Sequence, residues 1–212
     1  MAVNIDTVYQ RVLSIANKEQ RGYITPLEFN LLANQVQMDI FEQYFYDINQ
    51  FGRLPGNDTQ YSDMLNILEE KISIFERVDQ PFGVVGGAGT LPNHYRMGAL
   101  FWNVGGDQNE IELVNNKEVR LFNQTPLAMP SEARPVYVKT AERIIQIFPD
   151  TITGDITCNF IAAPAKVIWG YDVINGKALY NAGTSIDFEL HESEETSLVM
   201  KVLELAGIIM NK

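Results

Sequence analysis

The spacing of apolar residues changes twice along this chain, and these changes restrict its fold. Up to about residue 78 apolar residues recur every three or four positions, which is the period of an α-helix. From Pro81 to about Leu190 short runs alternate apolar and polar, as in strands, and the helical period returns at His191. The sequence therefore predicts an α+β fold, in which N- and C-terminal helices form a bundle with an inserted antiparallel β-sandwich or small barrel. The predicted parts are residues 1–80, 81–190 and 191–212.

Four helices are predicted. The first runs from residue 4 to the "RGYIT" break, and the next two cover about 26–48 and 60–78. The fourth follows Ser193 as N-cap, carries Glu194 and Glu195 in its first turn, and is expected to end at Gly207. A single helix cannot bury its own apolar stripe, so we expect the fourth helix to pack on the N-terminal ones. Its stripe is Leu198, Val199, Val202, Leu203 and Ala206.

Six strands are predicted between the helical parts. They lie near "MGALFWNV", "EIELV", "PVYVKT", "RIIQIFP", "DITCNFIAAP" and "IDFEL". The segment "KTAERI" is interpreted as a hairpin turn between two of them. We interpret the glycine-rich "GVVGGAGT" as a flexible linker, in which Phe82, Val84 and Val85 become ordered only on assembly.

The segment "NKEQRGYITPLEFNLL", which starts at residue 17, resembles part of an EF-hand loop. Counted from its first residue, Gly22 is sixth and Glu28 is twelfth, as a calcium loop requires. Arg21, however, stands at the fifth position, where its guanidinium would repel the ion, and Pro26 falls inside the loop. We therefore interpret Gly22 as the end of the first helix. Thr25, Pro26 and Glu28 are then the N-cap, first-turn proline and capping-box glutamate of the second.

Charge and composition exclude several classes of function. The chain has 16 basic and 27 acidic residues, and a net charge of −11 opposes extensive contact with nucleic acid. No apolar run is long enough to span a membrane and no signal peptide is present, which predicts a soluble protein. His94 and His191 stand apart from any second metal ligand, and Cys158 is predicted to be a small buried thiol. We expect no catalytic residues, no metal and no cofactor, and therefore no enzyme.

The second predicted helix is apolar over more than one flank. One stripe suits a core, and a second flank carries Phe41, Phe45 and Ile48. Neutral amides, Asn30, Asn34 and Gln37, interleave with these residues. Two interpretations remain open: a central helix of the bundle, or a helix whose second flank packs against another subunit.

The C-terminal residues "GIIMNK" leave Ile208, Ile209 and Met210 beyond the expected helix end. Apolar residues in such a place either dock in a groove on a partner or complete the core of their own chain. The sequence leaves both interpretations open.

Three long segments carry a resemblance to a known family. They are "NIDTVYQRVLSIANKEQRGYITPLEFNLLANQVQMDIFEQYF", "PVYVKTAERIIQIFPDTITGDITCNFIAAPAKVIWGY" and "DFELHESEETSLVMKVLELAGI". The chain resembles the neck ring, or head-to-tail adaptor (connector), proteins of short-tailed bacteriophages, especially the crAss-like phages and related marine podoviruses. "ANKEQRGYITPLEFN" and "LHESEETSLVMKVLELAGI" are its most distinctive motifs.

This resemblance implies a structural virion protein of the neck, assembled in the host cytoplasm. Such proteins form a ring, commonly of twelve copies, that lies below the portal protein, extends the DNA channel and docks tail components. DNA would pass through the lumen without specific binding, which the acidic composition suits. The resemblance implies no catalytic residues and no membrane contact.

One alternative comes from a different class of function. A ligand-binding β-sandwich, such as a carbohydrate-binding module on a tail or cell surface, would use exposed aromatic rings as a stacking platform. Trp102, Trp169 and Tyr171 are the candidates for that platform. Such a module would not need long apolar helices around its β part, so the adaptor is the leading interpretation.

Overall fold

The computed structural model describes residues 2–18, 23–51 and 59–208, with the backbone alone for residues 51 and 59–63. The α+β class is confirmed: this part of the chain contains five α-helices, one eight-stranded sheet and two two-stranded sheets. The helices are α1 (Ile5–Lys18), α2 (Pro26–Phe51), α3 (Thr59–Ser73), α4 (Asn116–Gln124) and α5 (Glu195–Leu205). None of these described helices is both long and apolar enough to cross a membrane.

Twelve strands are found in the described residues. They are β1 (Ala2–Val3), β2 (Glu76–Pro81), β3 (Val84–Val85), β4 (Ala88–Thr90), β5 (Arg96–Val104), β6 (Asp107–Leu113), β7 (Val136–Lys139), β8 (Ile144–Phe148), β9 (Ile156–Ile161), β10 (Tyr171–Ile174), β11 (Lys177–Tyr180) and β12 (Phe188–His191). All six predicted strands have a counterpart here. The predicted "KTAERI" hairpin is also confirmed, because β7 and β8 are antiparallel neighbours.

Contacts divide the chain into two compact units. Met1–Ile74 together with Pro164–Lys212 form one, called the helical unit below, and Phe75–Ala163 form the other, called the sheet unit. The inserted part was predicted to cover residues 81–190. The sheet unit begins six residues before that range and ends at Ala163, well before residue 190. The third helix was predicted to reach Val78, which is wrong: α3 ends at Ser73, and β2 follows because it pairs with β9.

The sheet unit is built on one curled sheet. Its strands follow the order β2-β9-β5-β6-β7-β8-β4-β3 and are antiparallel except for the parallel pair β6 and β7. Strands from both ends of this order contribute to one core, so the sheet wraps around it. The buried core residues are Val84, Leu91, Leu100, Ile111, Tyr137, Ile145, Ile147, Ile152, Ile156, Cys158 and Phe160. Burial raises the pKa of the Cys158 thiol to about 11, which keeps it protonated and unreactive at neutral pH.

Two segments of the sheet unit differ from the sequence prediction. The glycine-rich "GVVGGAGT" is not a linker: it forms the β3–β4 hairpin, whose turn residues Gly86 and Gly87 have φ of 58° and 76°. Val84 is buried and Phe82 packs against the core, so the expectation that they become ordered only on assembly is wrong. Helix α4 was not predicted, although Asn115 and Glu118 form a capping box at its start.

The helical unit buries the predicted stripes. Residues spaced by three and four on α1, α2 and α5 are almost inaccessible, as amphipathic helices require. Helix α5 packs on α1 and α2, as predicted, and Gly207 ends it with φ of 78°. Ser193 is not its N-cap: a 3-10 turn, Glu192–Glu194, precedes α5, and the His191 ring accepts a hydrogen bond from the Ser193 N–H. The main buried positions are Val8, Tyr9, Val12, Phe29, Val36, Ile40, Leu198, Val199, Val202 and Leu203.

The predicted capping box at the start of α2 is confirmed. The Glu28 carboxylate accepts hydrogen bonds from the Thr25 N–H (2.9 Å) and hydroxyl (2.8 Å), and the Thr25 hydroxyl oxygen accepts from the Glu28 N–H (3.3 Å). These bonds, the backbone one first, lower the pKa of Glu28. Glu28 therefore caps the start of α2, as we predicted when we rejected it as a calcium ligand. Gly22 and Arg21 lie outside the described residues.

Replacing Thr25 with alanine is expected to lower the free energy of unfolding by about 1 kcal/mol, because α2 loses its N-cap acceptor. Urea denaturation followed by far-ultraviolet circular dichroism measures the change. Thr25→Ser is the control, since it keeps the hydroxyl. Equal stability of the two variants would show that the hydroxyl has no capping role.

Candidate functional site

Three amide side chains of α2 bind the backbone of an extended segment, residues 165–169. We call Asn30, Asn34 and Gln37 the amide ladder. Each behaves like a peptide group, because an amide offers both a donor and an acceptor. Their spacing places them on one face of the helix, over about 10 Å of its axis, while the extended segment covers about 13 Å. The two lengths are close enough for one-to-one pairing.

The bonds of the amide ladder follow every second residue of the segment. Asn30 accepts from the Trp169 N–H (2.7 Å) and donates to the Trp169 carbonyl (3.2 Å). Asn34 does the same with Val167, at 3.0 and 2.9 Å. Gln37 donates to the Ala165 carbonyl (2.7 Å) and accepts from the Glu189 N–H (3.2 Å). These amides are therefore used within the chain, which removes them as an argument for a subunit interface.

The ladder holds Trp169 in an aromatic cluster. Its ring lies 4.5 Å from that of Tyr9 and 5.7 Å from those of Tyr171 and Tyr180, and its Nε1–H donates to Asp6 (2.9 Å). Only 3% of Trp169 is exposed. It cannot offer a face to a sugar, so it is not part of a stacking platform.

Trp102, the other tryptophan of the proposed stacking platform, does not take over this role. Trp102 belongs to the sheet unit, where it is half-buried and packs against the core. The structure therefore brings only Tyr171 of the three proposed platform residues to the surface of the helical unit, beside a buried tryptophan. No specific observation favours the carbohydrate-binding alternative.

Tyr171 and Tyr180 begin and end a hairpin that sequence reasoning missed. Among the described strands, β10 and β11 pair only with each other, around a turn whose residues Asn175 and Gly176 both have positive φ. Asn-Gly is the typical sequence of this turn, so "YDVINGKALY" carried a signal for the hairpin. Beyond the two tyrosines, its apolar side chains face solvent. Val173 is 67% exposed, Ile174 55% and Leu179 50%.

Other apolar side chains are exposed on each unit. On the helical unit, Leu27 and Leu31 lie one turn apart on α2, and Leu31 borders a 340 Å³ groove that Ile208 also lines. On the sheet unit, Leu127 is fully exposed in the loop after α4, near Met129 in sequence. The apolar surface thus lies on several separate elements.

The predicted interface residues are only partly at the surface. Phe41 is fully buried and its ring lies edge-on to that of Phe45 at 5.1 Å, while Phe45 and Ile48 are half-buried. Ile208 is buried against its own chain, which favours the core interpretation for that residue. Ile209 and Met210 lie outside the described residues. An interface role for Phe45 and Ile48 stays a prediction.

The remaining candidate side chains have structural partners. The Nδ1 atom of His94 lies 2.8 Å from the Pro92 carbonyl oxygen, and that of His191 lies 2.9 Å from the Ser193 hydroxyl. Each of these rings therefore has a hydrogen-bonding partner within the chain. What distinguishes the described surface is thus its exposed apolar elements. Neither a protein-family model nor a curated protein sequence matches this chain.

Proposed function

We propose that this chain is a structural virion protein, the subunit of a head-to-tail adaptor ring below the portal of a short-tailed bacteriophage. The observation that carries the proposal is the β10–β11 hairpin, with apolar side chains exposed on both strands. The resemblance of three long segments to neck ring proteins supplies the type of assembly. The proposal includes the arrangement expected of such adaptors, a helical bundle with an inserted β domain.

A hairpin of this kind is expected to be completed by another protein surface. Two strands alone are marginally stable in water, and three or more are usual. Trp169 anchors one end of the hairpin through the rings of Tyr171 and Tyr180, while residues 173–177 around the turn are exposed. Exposed apolar residues on such an element are typical of interaction sites. Self-association into a ring covers the hairpin of every copy in the same way.

The charge of the chain supports a passage for DNA. With 27 acidic and 16 basic residues, a ring of many copies repels phosphate and does not retain DNA. A channel wall needs this property, since the genome must slide through it. The proposed subunit also binds the portal and tail components, and it has no catalytic role and no cofactor.

Native mass spectrometry and sedimentation of the purified full chain, alone and mixed with the portal protein of the same virion, test this function. We expect a closed oligomer of defined copy number, formed either alone or on the portal. A chain that stays monomeric at all concentrations, with and without the portal, contradicts the proposal. Binding to glycan arrays by the monomer would instead support a surface-binding module.

A further inference from the structure

The β10–β11 hairpin has two open edges. The two residues that flank its two-residue turn exchange backbone hydrogen bonds, and this pairing alternates along the strands. Val173 and Ala178, the next opposed pair, therefore direct their N–H and C=O groups outward, one on each edge. Within the described part of the chain, no backbone hydrogen bond from another segment reaches these groups. Such a row of unpaired groups is a template for a further strand.

The two edges carry opposite charges. Asp172 is the one charged residue of β10, and Lys177 is the one charged residue of β11. Asp172 and Ile174 lie on one face of β10, and Lys177 stands opposite Ile174, so both charges share that face. Neither side chain forms a salt bridge within the described residues.

We propose that β10 of one copy pairs antiparallel with β11 of the next, so that the hairpins join head to tail into one continuous sheet. This inference rests on the proposed ring and names the contact that closes it. Antiparallel order continues the order of the hairpin itself, and it places Asp172 opposite or diagonal to Lys177 of the neighbouring copy. Opposite charges in these positions stabilise a strand pair. The exposed side chains of Val173 and Leu179 are then covered by their neighbours.

Two-fold pairing of like strands does not bring opposite charges together at the contact between copies. Two β10 strands would place the two Asp172 carboxylates opposite or diagonal to each other, which is destabilising. Two β11 strands would bring two Lys177 side chains and no carboxylate to the contact, so the new strand pair would gain no attraction between opposite charges. A contact between unlike edges is heterologous, and such a contact repeats from copy to copy and gives a ring when the rotation between copies closes. The charge pattern of the hairpin therefore favours the repeating head-to-tail contact that a ring requires over a two-fold dimer.

The first test removes one backbone donor from the outer edge of β10. Val173→Pro loses the outward N–H, and proline is tolerated at a strand edge when its nitrogen faces away from the paired strand. Val173→Thr is the matched control, because it keeps the N–H and the branched side chain. We expect Val173→Thr to form the oligomer, and Val173→Pro to lose it while its circular dichroism spectrum stays that of the monomer. Equal assembly of the two variants overturns the proposal.

The second test separates contacts between copies from those within one hairpin. Asp172→Lys and Lys177→Asp each place like charges at the contact between copies, and each is expected to assemble poorly alone. In an equimolar mixture the lysine introduced in one variant meets the aspartate introduced in the other, so mixed oligomers are expected to return. The charges within each hairpin are unchanged by mixing, so recovery reports the contact between copies.

The outcomes distinguish this inference from the function on which it rests. If the unmodified chain forms no oligomer, with or without the portal, the proposed function fails. If it forms a ring and both charge variants also assemble fully alone, the ring exists but is closed elsewhere. Loss of assembly in each variant without recovery on mixing also contradicts the pairing of β10 with β11.

Discussion

Replacing Trp169 with alanine is expected to lower the free energy of unfolding of the helical unit by about 3–5 kcal/mol, as for other buried large aromatic residues. The indole is 3% exposed and packs on three tyrosine rings. Its removal leaves a cavity between α1 and the hairpin, and it also leaves the Asp6 carboxylate without its indole donor. Both effects act in the same direction.

Chemical denaturation followed by far-ultraviolet circular dichroism measures this loss, because four of the five described helices belong to the helical unit. Leu27→Ala is the control in the same unit. Its side chain is 74% exposed, so its effect is expected to stay within about 0.5 kcal/mol. A Trp169→Ala protein with unchanged stability would contradict the buried cluster and restore the surface role for this ring.

Replacing Asn34 with leucine is expected to cost about 2–4 kcal/mol of unfolding free energy, since two backbone groups of the buried Val167 lose their partners and each unsatisfied group costs about 1–3 kcal/mol. Leucine has a similar volume but neither donor nor acceptor. Asn34 also donates to the backbone carbonyl of Asn30 at 2.7 Å, and this bond is lost as well.

Gln35→Leu is the matched control on the same helix, because Gln35 is exposed and its amide donates to the nearby Asp39 carboxylate (2.9 Å). A change within about 0.5 kcal/mol is expected there. Hydrogen exchange at the Val167 amide gives a second measurement, and protection should fall in Asn34→Leu. Equal stability of the Asn34 and Gln35 variants would show that the ladder contributes nothing.

Some features that sequence reasoning missed carried local signals. Asn175-Gly176 between "YDVI" and "KALY" is a hairpin sequence, and Asn115 with Glu118 is a capping box of the same kind as the one predicted at Thr25. The hairpin was missed because Asp172 and Lys177 interrupt the apolar alternation expected of its strands. The residues of the amide ladder, by contrast, were noted in the sequence. Their spacing alone could not show which backbone groups they bind.

Local sequence patterns were sufficient to predict the start of α2, the buried stripes of the helices and the mixed α+β class. Those features depend on residues within one or two turns of each other, where periodicity and capping act directly. Tertiary structure decided that Glu76–Pro81 is a strand, because β9 lies about 80 residues away in sequence and pairs with it. It also decided that the amides of α2 bind residues 165–169, at separations of 128 to 139 positions. Hydrogen bonds over such distances exist only after the chain has folded, since no local pattern specifies which backbone groups will lie opposite an amide.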